Sequence, residues 1–269
     1  MLIVAKSGGR VIEEGLPEEL ILDIKNFLGS NKFILVHGGG IEVTEIAAKL
    51  GKEQKFVVSP EGFRSRYTDK ETVEIYTMVM AGKLNKQMVV KLQSHGIPAV
   101  GVSGLDGLLL QAERKKRLIV VDDRGRKRVI DGGYTGKICG VNVELLRLLL
   151  DGGYVPVVAP VAISEEFESL NVDGDRTAAY VAGFIKADRL VLLTDVEGLM
   201  LEGKLIPRLT TTEAKELLPK IGHGMITKIY AAIEALSMGV GEAIITSGLI
   251  EKPISSSINH KCGTVISHG

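Results

Sequence analysis

Short, continuous runs of Val, Ile and Leu recur along the chain, and longer segments with helical apolar spacing lie between them. The runs are Leu2 to Ala5, Phe33 to Val36, Ala99 to Val102, Val155 to Val161, Leu190 to Leu193, Ala243 to Ile245 and Thr264 to Ile266. They are continuous rather than alternating, which predicts strands buried on both faces of a parallel sheet. The spacing predicts helices over Glu18 to Leu28, Ile41 to Leu50, Lys70 to Ser94, Val141 to Leu150, Arg176 to Ile185 and Met225 to Met238. This alternation predicts an α/β protein, a three-layer αβα sandwich around a central, mainly parallel sheet. A length of 269 residues suits a single domain, 1–269. Within it, a boundary near Leu170 gives approximate lobes 1–170 and 171–269, because Asn171-Val172-Asp173-Gly174-Asp175 follows the polar loop Ser164 to Ser169.

The stretch from Leu108 to Tyr134 breaks the pattern. Its strands flank a turn at Asp122-Asp123-Arg124-Gly125 and lead to a loop at Asp131-Gly132-Gly133. It reads as an antiparallel hairpin inserted on the sheet.

Charge and composition narrow the function. The 33 basic and 33 acidic side chains cancel, so no global field favours nucleic acid or a membrane surface. Trp is absent and aromatics are 4%, which disfavours a base-stacking platform. No apolar run reaches the length of a membrane span. Cys139 and Cys262 are far apart and have neither metal-like nor redox spacing, so a cytoplasmic protein without a resident metal is expected.

Glycine-rich turns point to an anion. Lys6-Ser7-Gly8-Gly9 and His37-Gly38-Gly39-Gly40 follow the first two apolar runs, and Gly222-His223-Gly224-Met225-Ile226-Thr227-Lys228 opens a helix. Glycines between a strand and a helix let backbone N–H groups approach an anion with no Cβ in the way. Lys6 can reach a phosphate while Gly8 and Gly9 supply donors. His37 reads as a satisfied core histidine. Lys228 falls in the first helical turn, where the partial positive charge makes a lysine unfavourable. A residue that costs helix stability there suits a transferring phosphoryl group, whose negative charge it would complement.

Other residues leave two readings each. Arg64 and Arg66 could grip a carboxylate bidentately or be surface charge before a helix that Thr68 or Asp69 caps. Asp175 could be an N-cap or a carboxylate holding two ammonium groups. Asp195 ends a strand, where ligands of open sheets bind. No Walker A or dinucleotide fingerprint is present.

Seven segments, in order, resemble the amino acid kinase family and its acetylglutamate kinase branch. They are Lys6 to Gly9, His37 to Gly40, Arg66-Tyr67-Thr68-Asp69, Gly101 to Gly107, Asn171 to Asp175, Leu193 to Gly198 and Gly224 to Lys228. The resemblance covers almost the whole chain. It implies a carbamate kinase-like fold and transfer of the γ-phosphoryl group of ATP, accompanied by Mg²⁺, to a carboxylate. Lys6 and Lys228 would stabilise the transferring group, and Asp175 would orient them. Gly38, Gly39, Arg64, Arg66 and Asn171 would serve the acceptor. Gly8, Gly9, Thr194, Asp195, Gly198, Gly224 and Met225 would serve the nucleotide. The N-terminal lobe would take the acceptor and the C-terminal lobe the nucleotide.

Two departures from the acetylglutamate kinase pattern shift the expected acceptor: Ser7 replaces an aliphatic residue, and the arginine is doubled at Arg64 and Arg66. From Arg114 to Arg128 there are also eight basic residues against Asp122 and Asp123. These traits resemble the archaeal and Thermus-type lysine-biosynthesis kinases. Those act on α-aminoadipate, or glutamate, joined through its amino group to an acidic carrier protein, in lysine or arginine biosynthesis. The basic stretch is either the carrier's docking surface or a solvated hairpin. Acetylglutamate kinase is the alternative. A non-catalytic nucleotide or amino-acid sensor is a third reading, disfavoured because a sensor needs no transition-state charge. Arginine-sensitive hexameric relatives carry an extra N-terminal helix, whereas the first strand here starts at Leu2, so a homodimer without arginine feedback is expected.

Overall fold

The computed structural model describes residues 1–222 and 224–269; His223, within the third glycine segment, lies outside them. In chain order the elements begin with β1 (Leu2–Ser7), α1 (Glu18–Phe27), β2 (Lys32–His37), α2 (Gly40–Lys49), β3 (Phe56–Val58), β4 (Arg64–Arg66) and α3 (Lys70–Thr77). A π-helix (Met78–Leu84) then leads into α4 (Asn85–Gln93) and β5 (Ala99–Ser103). Next come β6 (Leu110–Arg114), β7 (Arg117–Val121), β8 (Lys127–Asp131), β9 (Gly136–Val141) and α5 (Val143–Asp151). They are followed by β10 (Val155–Ala159), β11 (Val161–Ile163), β12 (Ser169–Asn171), α6 (Gly174–Ile185) and β13 (Arg189–Thr194). The chain continues through β14 (Met200–Leu201), β15 (Lys204–Leu205), β16 (Arg208–Thr210) and α7 (Thr211–Leu217). It ends with α8 (Met225–Ser237), β17 (Glu242–Ser247), α9 (Pro253–Ile258) and β18 (Thr264–Ser267).

The central sheet has eight strands in the order β16-β18-β17-β13-β1-β2-β10-β5. Its pairs are parallel except β17 with β18. Ile3, Val4 and Ala5 are fully buried, as continuous apolar runs require. Along β1 they alternate between two cores. Ile3 and Ala5 pack with α1, α4 and α9, whereas Val4 packs with α5, α6 and α8. This is the expected three-layer sandwich.

Three expectations change. The run Val155 to Val161 is two strands broken at Pro160, because β11 leaves the central sheet for a second one, β12-β11-β6-β9. The segment Lys70 to Ser94 is interrupted by the π-helix, a wider coil often found at functional sites. The inserted hairpin, β7 with β8, pairs only with itself and projects between β6 and β9.

Local chemistry fixes the ends. Asp69 caps α3 through Thr72 N–H, and Asp173 caps α6 through Arg176 N–H, so Asp175 is free of capping duty. At the base of the hairpin, a Cβ on Gly132 would collide with the Lys115 carbonyl, which is backbone and cannot swing aside. Gly132→Ala should therefore lower Tm by several degrees in a thermal melt; an unchanged Tm would contradict this packing.

Candidate active site

The register of β1 assembles the site. Lys6 lies beside Val36 of β2 and Leu192 of β13, and Ser7 lies beside His37 and Leu193. The carboxyl ends of three adjacent strands thus bring two glycine turns together, at the place where open α/β sheets bind ligands. Lys6 shares the Val4 face of β1 and projects towards α6. There, a Cβ on Gly174 would come within 3.3 Å of Lys6 Cε, so the first residue of α6 makes room for the lysine.

Asp175 is the hub. Its Oδ1 lies 2.8 Å from Lys6 Nζ and its Oδ2 accepts a hydrogen bond from Lys228 Nζ at 2.9 Å. The Lys6 contact is an ion pair without good hydrogen-bond direction, which leaves Oδ1 without a conventional donor. All three side chains are buried. Burial works to raise the Asp175 pKa, but the fields of Lys6 and Lys228 outweigh it and hold the value down to about 2. Asp175 is shared by two ammonium groups where α6 and α8 converge, with the Asp173 carboxyl also in their field. The lysine in the first turn of α8 is thus compensated by Asp175.

One cleft, of about 560 Å³, is lined by Lys6, Gly8, Gly9, Thr194, Asp195, Gly198, Gly224, Met225 and Lys228. Lys6, Lys228 and all seven glycines and side chains expected to serve the nucleotide therefore face one space. Their donors differ. Gly8 N–H is committed to Leu193 O at 3.1 Å, whereas Gly9 N–H has no protein acceptor among the described residues. Asp195 accepts from Thr194 Oγ1 at 3.1 Å and from Arg10 at 2.7 Å across the mouth. Gly198 cannot carry a side chain, since a Cβ would come within 2.8 Å of Leu205 and Thr264. Gly224 turns with φ +83° into α8.

A second cleft, of about 740 Å³, is lined by Lys6, Gly9, Gly38, Gly39, Arg64, Arg66 and Asn171, among others. The two clefts share Lys6 and Gly9. Gly38 N–H is spent on Ser7 O at 2.8 Å, but the Gly39 and Gly40 N–H groups have no protein acceptor among the described residues. Arg66 is buried and donates to Gly40 O at 2.7 Å, to Thr44 at 3.0 Å and to Gln54. Arg64 is exposed, with its guanidinium 4.0 Å over the Phe56 ring. Asn171 donates to Thr68 Oγ1 at 2.9 Å.

Sequence reasoning missed Arg176 and misplaced Lys115, both of which line this second cleft. Arg176 is clamped to Glu234 of α8 at 2.8 and 2.5 Å. Its position next to Asp175 is the one signal the sequence carried. Lys115 is half-buried in the cleft rather than displayed on the hairpin, and burial lowers its pKa, with Arg176 adding to the effect. Arg114 is also turned inward, to Glu168 at 2.9 Å and over the Tyr134 ring at 4.1 Å. Arg126 and Arg128 both pair with Asp122. Lys116, Arg117, Arg124 and Lys127 remain exposed and without an ion pair among the described residues.

Comparison with known proteins gives the chain a family and a fold. Residues 1–247 match the amino acid kinase family, and the chain belongs to that family. A LysW-aminoadipate/LysW-glutamate kinase from Saccharolobus islandicus is 49% identical over all of both chains. A Nitrosopumilus maritimus protein, named provisionally for the same activity, is 55% identical over 99% of this chain and 100% of its own. Among solved structures, smu.665 of Streptococcus mutans aligns with a TM-score of 0.81 at 24% identity, covering 100% of this chain and 99% of its own. Giardia carbamate kinase aligns with a TM-score of 0.66 at 16% identity, covering 100% and 99%; both likenesses establish the fold.

If each charge acts on the transition state, replacing Lys6 or Lys228 by alanine should lower kcat on the order of a hundredfold or more, with a far smaller change in KM. A loss under about tenfold would remove that lysine from the chemistry. Asp175→Asn should slow turnover in a folded enzyme, because the lysines lose the charge that holds them.

Acid sensitivity follows from His37. It is fully buried, and burial lowers its pKa from 6.5 to about 4. The unfolded chain therefore binds this proton more readily, and stability should fall as pH drops from about 6.5 towards 4. Urea unfolding at pH 7, 5.5 and 4 should show a shallower decline for His37→Gln than for the parent; equal slopes would exclude His37 as the cause.

Proposed function

We propose that this kinase transfers the γ-phosphoryl group of ATP to the side-chain carboxylate of α-aminoadipate or glutamate whose amino group is joined to the carrier protein LysW, in lysine biosynthesis. The observation that carries the reading is the pair of clefts meeting at Lys6 and Gly9, with the acceptor side the larger at about 740 Å³ against about 560 Å³. The acceptor cleft runs from Lys6 and Gly9 past Arg66 to Lys115, Leu118 and Val120, so an acceptor that extends beyond a free acetylated amino acid still meets the protein. The full-length similarity to kinases named for that substrate supports the same reading. Use of the glutamate substrate would extend the role to arginine biosynthesis.

A carboxylate oxygen of the acceptor attacks the γ-phosphorus. The new C–O–P bond forms as the bond to the bridging oxygen breaks, ADP leaves, and no proton need move. The two lysines offset charge on the transferring group, and the free N–H groups of Gly9, Gly39 and Gly40 are available to its oxygens. Asp175 is engaged by two lysines and Asp195 by Arg10. This donor set fits Mg²⁺ carried on the nucleotide phosphates with most of its waters retained, rather than a protein cage. Transfer should stop in excess EDTA. The working form is proposed to be a cytoplasmic homodimer.

The carrier is proposed to dock on Lys116, Arg117, Arg124 and Lys127, the hairpin cations left without acidic partners. Attraction between exposed charges is screened within about 8 Å at physiological salt. Hence kcat/KM for the carrier-linked acceptor should fall steeply with added salt, and reversal of these four residues to glutamate should cripple that acceptor. Hydroxylamine trapping of acyl phosphate decides between acceptors. Product from LysW-linked aminoadipate or glutamate, with little from free acetylglutamate, is expected. The opposite preference would make the chain an acetylglutamate kinase.

A further inference from the structure

His37 and Asn85 are polar side chains buried completely beside the reaction centre, and neither lines a cleft. His37 ends β2, immediately before the glycine turn. Its Nδ1 lies 2.8 Å from the Gly38 carbonyl oxygen, and its Nε2 lies 3.3 Å from Asn85 Nδ2. Asn85 Nδ2 also lies 2.9 Å from Val157 O, and its Oδ1 accepts from Lys86 Nζ at 3.1 Å, which fixes the amide orientation. A carbonyl oxygen can only accept, so the proton of the neutral ring sits on Nδ1, and Nε2 accepts from Asn85. Asn85 thus selects the tautomer that lets His37 donate to Gly38 O.

The peptide bond gives this contact a consequence. The Gly38–Gly39 peptide is trans, and in a trans peptide the C=O and N–H point in opposite directions. Pinning Gly38 O therefore pins the direction of Gly39 N–H. That N–H group lies next to Gly9 of the other glycine turn: a Cβ on Gly9 would lie 3.7 Å from Gly39 N. Gly39 has φ +146°, and a side chain there would strike Leu84 and Met80 of the π-helix that delivers Asn85. The turn is free to be set wrongly, since glycine tolerates both signs of φ.

We propose that His37 and Asn85 are positioning residues that lock the Gly38–Gly39 peptide so that Gly39 N–H faces the transferring phosphoryl group. The inference rests on the Lys6–Gly9 junction being the phosphoryl site. His37→Phe should lower kcat at least about tenfold, somewhat less than outright loss of a transition-state donor, while KM for ATP changes less than about threefold. His37→Gln, which keeps an N–H for Gly38 O, should recover most of that loss. Asn85→Leu frees the tautomer and should also lower kcat, and adding His37→Gln should restore it because glutamine needs no partner to choose its donor. This double variant carries the test should His37→Phe fail to fold. A folded His37→Phe enzyme with kcat within about twofold of the parent, or no rescue by glutamine, overturns the proposal. Lys6→Ala, assayed in parallel, separates the two failures. A normal Lys6→Ala enzyme would refute the site itself, whereas a crippled one beside a normal His37→Phe refutes only the lock.

Discussion

One buried carboxylate organises the candidate site. Asp175 sits between Lys6 from β1 and Lys228 from α8, at 2.8 and 2.9 Å, and neither lysine could be buried there without it. The cost of desolvating a lone ammonium would otherwise drive each lysine towards solvent. The arrangement also couples distant parts of the chain. Lys6 belongs to the strand at the centre of the sheet, whereas Asp175 and Lys228 begin the two helices that make the most extensive helix pair in the fold. Packing of α6 on α8 therefore sets the spacing of these charges, and Arg176 with Glu234 reinforces that packing one residue along from Asp175.

The same geometry divides labour between charge and backbone. The lysines are held by an anion they share, which fixes where both ammonium groups sit. The glycine turns offer N–H groups whose directions come from the peptide planes. Gly8 and Gly38 use their own N–H groups to tie the turns to β13 and β1, and thereby leave Gly9 and Gly39 facing each other. Absence of a side chain matters for different reasons: at Gly8 and Gly38 it saves space for backbone pairing, and at Gly39 it avoids Leu84 and Met80 of the π-helix.

Much of this was legible in the sequence. Apolar runs buried on both faces gave β1, β2, β5, β10, β13 and β17 to within two residues, because a two-sided core demands continuity. The glycine segments marked where those strands end. Other features were hidden for physical reasons. Apolar spacing cannot distinguish an α-helix from a wider coil, so the π-helix before Asn85 was unreadable. Pro160 interrupts an apolar run without changing its hydrophobicity, so β10 and β11 read as one strand. A charge count ignores pairing: Asp122 absorbs Arg126 and Arg128, and Arg114 and Lys115 turn towards the protein. Two acidic residues at spacing two also left the α6 cap ambiguous until Asp173 was seen to hold Arg176 N–H.

The central claim is that the phosphoryl group passes where the two clefts share Lys6 and Gly9. A crystal structure with ADP, aluminium fluoride and the carrier-linked acceptor tests it most directly. The planar fluoride should lie between nucleotide and acceptor, about 2.7–3.1 Å from both lysine Nζ atoms and from Gly9 or Gly39 N–H. A fluoride bound without either lysine, or an acceptor carboxylate on the far side of β1 from Gly39, would contradict the account.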